Sequence, residues 1–166
     1  MRYDRLYGQE RAIQFLRNTI SAGQISHAYI FSGPRGVGKK ILARQYAQSL
    51  MCRETSPFTA CPCDNCRKIA NGTHPDMVWV GEDESARSIK LESVHSLQGW
   101  LNLRPVEADR KVAVVCYAER MTEEAANSFL KTLEEPPANS FIVFTVEHPF
   151  QLLDTILSRM IEVRLD

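Results

Sequence analysis

The sequence predicts a three-layer α/β fold built on a mostly parallel, five-stranded sheet. Three observations carry that expectation. Short apolar runs of strand length recur along the chain, longer stretches with helical spacing of apolar residues lie between them, and a glycine-rich turn joins the first strand to the helix after it.

The elements follow in order. Ala12, Ile13, Leu16 and Ile20 recur at helical spacing, with Phe15 widening the stripe and Gly23 as a stop. His27–Phe31 is an apolar strand leading into the Gly33–Gly38 turn, after which Leu42, Ala43, Tyr46, Ala47 and Leu50 mark a second helix. Residues 52–66 read as a small cysteine-rich insertion. Met77–Val80 reads as a short buried strand, residues 89–101 as a helix, and Val112–Cys116 as a strand covered on both faces. Thr122 is a good N-cap, with Glu123 and Glu124 suiting the positive end of a helix that Pro136-Pro137 terminates. Phe141–Val146 reads as a central strand, residues 150–158 as a helix, and Ile161–Leu165 as the last strand.

Composition narrows the function. The chain has 166 residues, with Lys plus Arg at 20 and Asp plus Glu at 20, so its formal charge is zero. That balance excludes a protein that coats nucleic acid by general basicity. No apolar run approaches the roughly 20 residues of a membrane span. Met1–Gln9 is polar and lacks the apolar stretch of a signal peptide, so a cytoplasmic protein without membrane contact is expected. Thiols stay reduced there, and clustered cysteines then suggest metal before disulfides.

Gly33-Pro-Arg-Gly-Val-Gly-Lys39 matches the first seven positions of a phosphate-binding P-loop and sits between a strand and a helix, as that motif requires. Gly33, Gly36 and Gly38 leave backbone amides free to face an anion, while Arg35, Lys39 and Lys40 add positive charge. The eighth position calls for a magnesium-binding hydroxyl, and Lys40 stands there instead. A working P-loop ATPase also needs an acid at the end of a second strand, but that strand ends in Cys116-Tyr117. Thiol is poorly matched to magnesium, and Tyr is no base near neutral pH. Glu119 lies beyond the strand end, and chain geometry gives no reason to place it at the same point. Three altered positions predict a chain that does not hydrolyse ATP by itself. Phosphate, sulfate, ATP or ADP remain candidate ligands of the loop.

Cys52, Cys61, Cys63 and Cys66 form the pattern C-x8-C-x-C-x2-C. Four thiolates suit tetrahedral zinc, and ligation would tie down an insertion with few apolar residues of its own. A partly used or oxidised surface cluster is the competing reading. Cys116 is set apart as a core thiol, and Thr73-His-Pro-Asp76 reads as a turn rather than as a ligand segment.

Taken together, Gly8-Gln-Glu10, Ser26–Phe31 into Gly33–Lys39, Gly72–Asp76, Asn127–Pro137 and Ile156-Leu-Ser-Arg159 resemble the clamp-loader branch of the AAA+ superfamily. Within it they are most similar to the delta-prime family of bacterial DNA polymerase III rather than to the motor subunits, which keep the hydroxyl and the acid pair. The resemblance implies a three-layer αβα P-loop (AAA+) domain over residues 1–166, with a zinc-binding insertion at about 52–66. It further implies a non-hydrolysing stator of a DNA-directed DNA polymerase holoenzyme, partnered by gamma/tau motor subunits and delta, and through them by the sliding clamp and primed DNA. Zinc is implied as well, although that family spaces its second and third cysteines by two residues and this chain by Pro62 alone.

The resemblance singles out Ser158-Arg159. On the residues alone, an arginine before the last strand reads as a surface ion pair. In the family a Ser-Arg-Cys signature presents its arginine in trans to ATP on a neighbouring subunit; here Met160 replaces the cysteine. An active motor ATPase and a stand-alone zinc and nucleotide module are the rival readings. The family also implies a helical lid and collar after the sheet domain, and this chain stops seven residues past Arg159. The patch of Arg35, Lys39, Lys40 and Arg44 is explained by a phosphate site more simply than by DNA. Trp79 and Trp100 read as core or interface aromatics.

Overall fold

The computed structural model describes residues 6–166. Residues 1–5, part of the polar N-terminal stretch, lie outside them. The order of elements is α1 (Glu10–Ser21), β1 (Ala28–Ser32), α2 (Lys39–Met51), α3 (Asp64–Asn71), β2 (Met77–Val80), α4 (Leu91–Leu101), β3 (Lys111–Val115), α5 (Glu123–Glu134), β4 (Ser140–Val146), α6 (Asp154–Leu157) and β5 (Ile161–Arg164), with short 3-10 turns at Ala118–Arg120 and Pro149–Gln151.

The strands form one parallel sheet in the order β2-β3-β4-β1-β5. Alternation along each strand sends side chains to opposite faces, which builds the two apolar layers. Tyr29 and Phe31 of β1 join Leu16, Leu42, Tyr46, Val112 and Val114 on the α1/α2 face. Ala28 and Ile30 join Leu97, Phe129, Phe144 and Ile156 on the α4/α5 face. On the first face Tyr46 meets Tyr29 edge-on at 5.6 Å and Phe31 at 6.0 Å. Such aromatic pairs add about 0.5–1.5 kcal/mol each beyond the area they bury.

The central strands β1 and β3 are fully buried, as their continuous apolar runs predict. β2 corrects an expectation. Among the described residues it is an edge strand, paired only with β3 and half-buried throughout rather than buried. The helix expected over 150–158 is also broken in two. Pro149–Gln151 makes a 3-10 turn, Leu152 and Leu153 run extended, and only Asp154–Leu157 is α-helical. Leu152 and Ile156 both reach the core by this route, so their helical spacing arises without a continuous helix. The insertion differs too: α3 begins inside it at Asp64 and runs beyond it to Asn71, where Gly72 adopts a left-handed conformation.

α2 and α4 lie on opposite faces, so the chain reverses its winding beside β1. A doubly wound sheet opens a ligand crevice outside the C-terminal ends of its strands at such a switch point. The Gly33–Gly38 turn stands there.

Candidate functional site

The phosphate loop is held open and close to its neighbours by glycine. A Cβ on Gly33 (φ 149°) would stand 2.4 Å from the Leu165 carbonyl oxygen, and one on Gly38 (φ 105°) would stand 2.3 Å from Leu6 Cδ1. Gly38 caps α2 in a left-handed conformation that side chains avoid. Lys39 is buried at 9% exposure, and its Nζ donates to Gly33 O at 2.6 Å and Pro34 O at 2.7 Å. The loop therefore closes on its own lysine. Burial lowers the pKa of Lys39, and the carboxylates of Glu147 and Glu119 pull it back upward.

A cavity of about 300 Å³ adjoins the loop, lined by Arg35, Gly36, Gly38, Lys39 and Lys40, and by Glu84, Tyr117, Thr145 and Glu147 from other elements. The predicted loop residues are thus brought together. Lys40 occupies the place of the magnesium hydroxyl and stands 5.4 Å from the centre of the Tyr117 ring. At the end of β3, Cys116 is fully buried, and burial pushes its thiol up to about 11. A neutral, buried thiol offers nothing to magnesium at pH 7. Tyr117 is left-handed (φ 52°), an uncommon state for a bulky residue, and its amide donates to Thr145 Oγ1 at 3.2 Å.

Glu119, discounted from the sequence, is turned back by the 3-10 turn and accepts from the Glu147 amide at 3.1 Å. Glu84, Glu119, Thr145 and Glu147 had no motif to announce them. The only signal was their position near the C-terminal ends of strands or in a charged loop.

The Cys52, Cys61, Cys63 and Cys66 sulfurs lie within 4.8 Å of one another, with Cys52 and Cys63 at 4.0 Å. Tetrahedral zinc with bonds of about 2.3 Å places its sulfurs about 3.8 Å apart, so this donor set fits the ion despite the one-residue gap at Pro62. The four come from the end of α2, the following loop and the start of α3, where Cys63 caps the helix by accepting from the Cys66 amide. Burial raises the Cys52 thiol, but hydrogen bonds from Thr55 and the Glu54 and Thr55 amides outweigh it and hold Cys52 down to about 6. Burial pushes Cys66 far above the usual thiol range. His74 stands outside the group, as expected. Its Nδ1 accepts from the Asp76 amide at 3.0 Å and its Nε2 bonds Asn65 Oδ1 at 2.9 Å.

Ser158 and Arg159 lie elsewhere. β5 runs parallel to β1, with Ile161 opposite Tyr29, so Arg159 sits at the N-terminal edge of the sheet and the phosphate loop at the C-terminal edge. The five residues of β1 separate those edges by about 16 Å. Arg159 Nη1 donates to Thr155 O at 2.8 Å and to Ser158 Oγ at 3.3 Å, and Nη2 meets Glu134 Oε1 at 2.8 Å. The surface ion pair read from the residues alone is present, and the side chain keeps about a third of its surface exposed.

The family profile described as "DNA polymerase III, delta subunit" matches residues 8–166. The chain belongs to that family. It is 39% identical over 151 residues to DNA polymerase III subunit delta' of Bacillus subtilis, covering 91% of this chain and 45% of that one. It is 38% identical over 159 residues to DNA polymerase III subunit tau of Salmonella typhimurium, covering 95% of this chain and 24% of that one. The chain therefore spans less than half the length of these curated relatives. Among solved structures, a DNA polymerase III gamma subunit-related protein of Thermotoga maritima shares the fold at TM-score 0.64 and 23% identity, covering 93% of this chain and 46% of the other. The RuvB Holliday junction branch migration motor of Thermotoga maritima shares it at TM-score 0.57 and 16% identity, covering 96% and 45%. The expected AAA+-type α/β fold of the clamp-loader family is borne out. No helix among the described residues is long and apolar enough to cross a membrane.

Proposed function

We propose that the chain is a non-hydrolysing stator of a DNA polymerase III clamp loader that presents Arg159 to ATP bound by a neighbouring gamma/tau motor subunit. The observation that carries this reading is the placement of Arg159 at the sheet edge opposite its own phosphate loop, where it can face a neighbour's nucleotide and not its own. A guanidinium there is a rigid, permanent charge able to stabilise charge developing on a transferring phosphoryl group. Thr155 O and Ser158 Oγ orient it, and Glu134 holds it until a stronger anion arrives.

The chain's own loop is a poor catalyst. Lys40, Cys116 and Tyr117 remove the metal-binding hydroxyl and both acids, and Lys39 is engaged by the loop carbonyls. Its amides and cations still suit phosphate, sulfate, ATP or ADP as a passive ligand. In the same reading Cys52, Cys61, Cys63 and Cys66 hold zinc, which fixes the α2–α3 connection. Delta, the sliding clamp and primed DNA are engaged through the assembly.

Reconstitution with gamma/tau and delta tests this directly. The purified chain should turn over no ATP, and the assembly should lose ATPase when Arg159 is removed. Magnesium-dependent turnover by the chain alone would sink the stator reading.

A further inference from the structure

The loop between β2 and α4 runs past the mouth of the phosphate cavity, and its Glu84 ties that mouth together. Glu84 Oε2 accepts from Arg35 Nη2 at 2.5 Å, and Oε1 accepts from the Tyr117 hydroxyl at 2.8 Å. The backbone of the same loop is pinned by Arg120, whose Nη1 donates to Glu84 O at 3.3 Å and to Ala86 O at 3.1 Å. Arg120 also lies 4.3 Å from the Tyr117 ring centre, on the ring that Lys40 approaches. The Glu84 carboxylate is thus held by Arg35 and the Tyr117 hydroxyl at the rim of a cavity that Gly36, Gly38 and Lys39 also line. Arg35 belongs to the phosphate loop itself, and part of its guanidinium fork is occupied by Glu84.

We propose that Glu84 is a built-in counter-anion, a latch that a polyphosphate must displace from Arg35 to enter the loop. The proposal rests on the reading that the loop still accepts phosphate. A site whose competent state is only partly populated binds more weakly by that fraction. An exposed ion pair is weak, so the latch tunes affinity instead of closing the site, and releasing it should tighten binding about two- to fivefold. Tyr117 is the tether. Its left-handed backbone places the hydroxyl where it reaches Glu84, which gives a physical use to the residue that replaces the water-handling acid.

Calorimetric titration of the purified protein with inorganic pyrophosphate, and in parallel with ADP, at low ionic strength provides the test. Glu84→Gln and Tyr117→Phe should each bind pyrophosphate about two- to fivefold more tightly than wild type. The second variant is decisive because it removes the tether without altering charge. If Tyr117→Phe binds as wild type does, the effect of Glu84 is mere field repulsion and the latch is refuted. If neither variant gains while Lys39→Ala abolishes binding, the phosphate loop stands and the latch falls. If neither wild type nor any variant binds pyrophosphate, both fall. An equal gain for ADP extends the latch to nucleotides, and a gain for pyrophosphate alone restricts it to inorganic polyphosphate.

Discussion

Arg159 and Glu134 form an ion pair at 2.8 Å across the ends of α6 and α5, at the edge of the sheet farthest from the chain's own phosphate loop. Glu134 is the last residue of α5, in the Thr-Leu-Glu-Glu-Pro-Pro segment, where the helix dipole disfavours an acid. The guanidinium offsets that penalty. Because both groups are substantially exposed, Glu134→Gln should change stability by no more than about 1 kcal/mol, which urea denaturation would measure. A larger loss would mean that the pair is a structural strut and not a loosely held cation.

The cysteine group should carry one zinc per chain, read by elemental analysis of the purified protein. Ligation requires thiolates, so affinity should fall as pH drops from 7 to 5. Chelation should lower the unfolding midpoint, and Cys66→Ser should reproduce most of that loss. Full stability in the chelated protein would remove the structural role assigned to the ion.

Asp76 predicts a distinct acid transition. It is fully buried and accepts the amides of Val106, Glu107 and Ala108 at 2.7–2.8 Å, pinning the turn before β3. Burial raises its pKa, but those three hydrogen bonds and His74 outweigh it and hold the carboxyl below its usual range. The folded value is depressed, so its stabilisation is present above the unfolded pKa of about 3.9 and is lost as pH falls through the lower folded value. Asp76→Asn should cost about 2–4 kcal/mol near neutral pH and flatten the stability profile below pH 4. Denaturant unfolding of both proteins from pH 2 to 7 would show it. His74, whose pKa burial lowers, adds its own loss earlier, as pH falls below about 6.5.

How much of this was legible in the sequence depends on whether the chemistry lay in consecutive residues. The phosphate loop, the four cysteines and the N-cap Thr122, whose side chain accepts from the Ala125 amide, are local patterns. Each is visible in neighbouring residues without knowledge of the fold. Glu84 and Glu147 reach the cavity, and the charge of Glu119 reaches Lys39, only because three separate strands end at one edge of the sheet, and nothing local encodes that convergence. Asp76 shows the same limit. Its turn was readable, yet its carboxylate acts on amides 30 to 32 residues away. The extended Leu152-Leu153 pair misled the helical reading because periodicity records which residues are buried, not the backbone path that buries them.

The central claim is that Arg159 acts on a neighbour's ATP. The most direct measurement is the DNA-stimulated ATPase of a clamp loader reconstituted from gamma/tau, delta and this protein, with wild-type or Arg159→Ala chain, after denaturation curves establish that the variant folds. Arginine fingers are worth about 10³–10⁵ in rate at the site they serve. Turnover at the adjoining motor site should collapse in the variant while assembly persists. An unchanged rate in an intact assembly would contradict it.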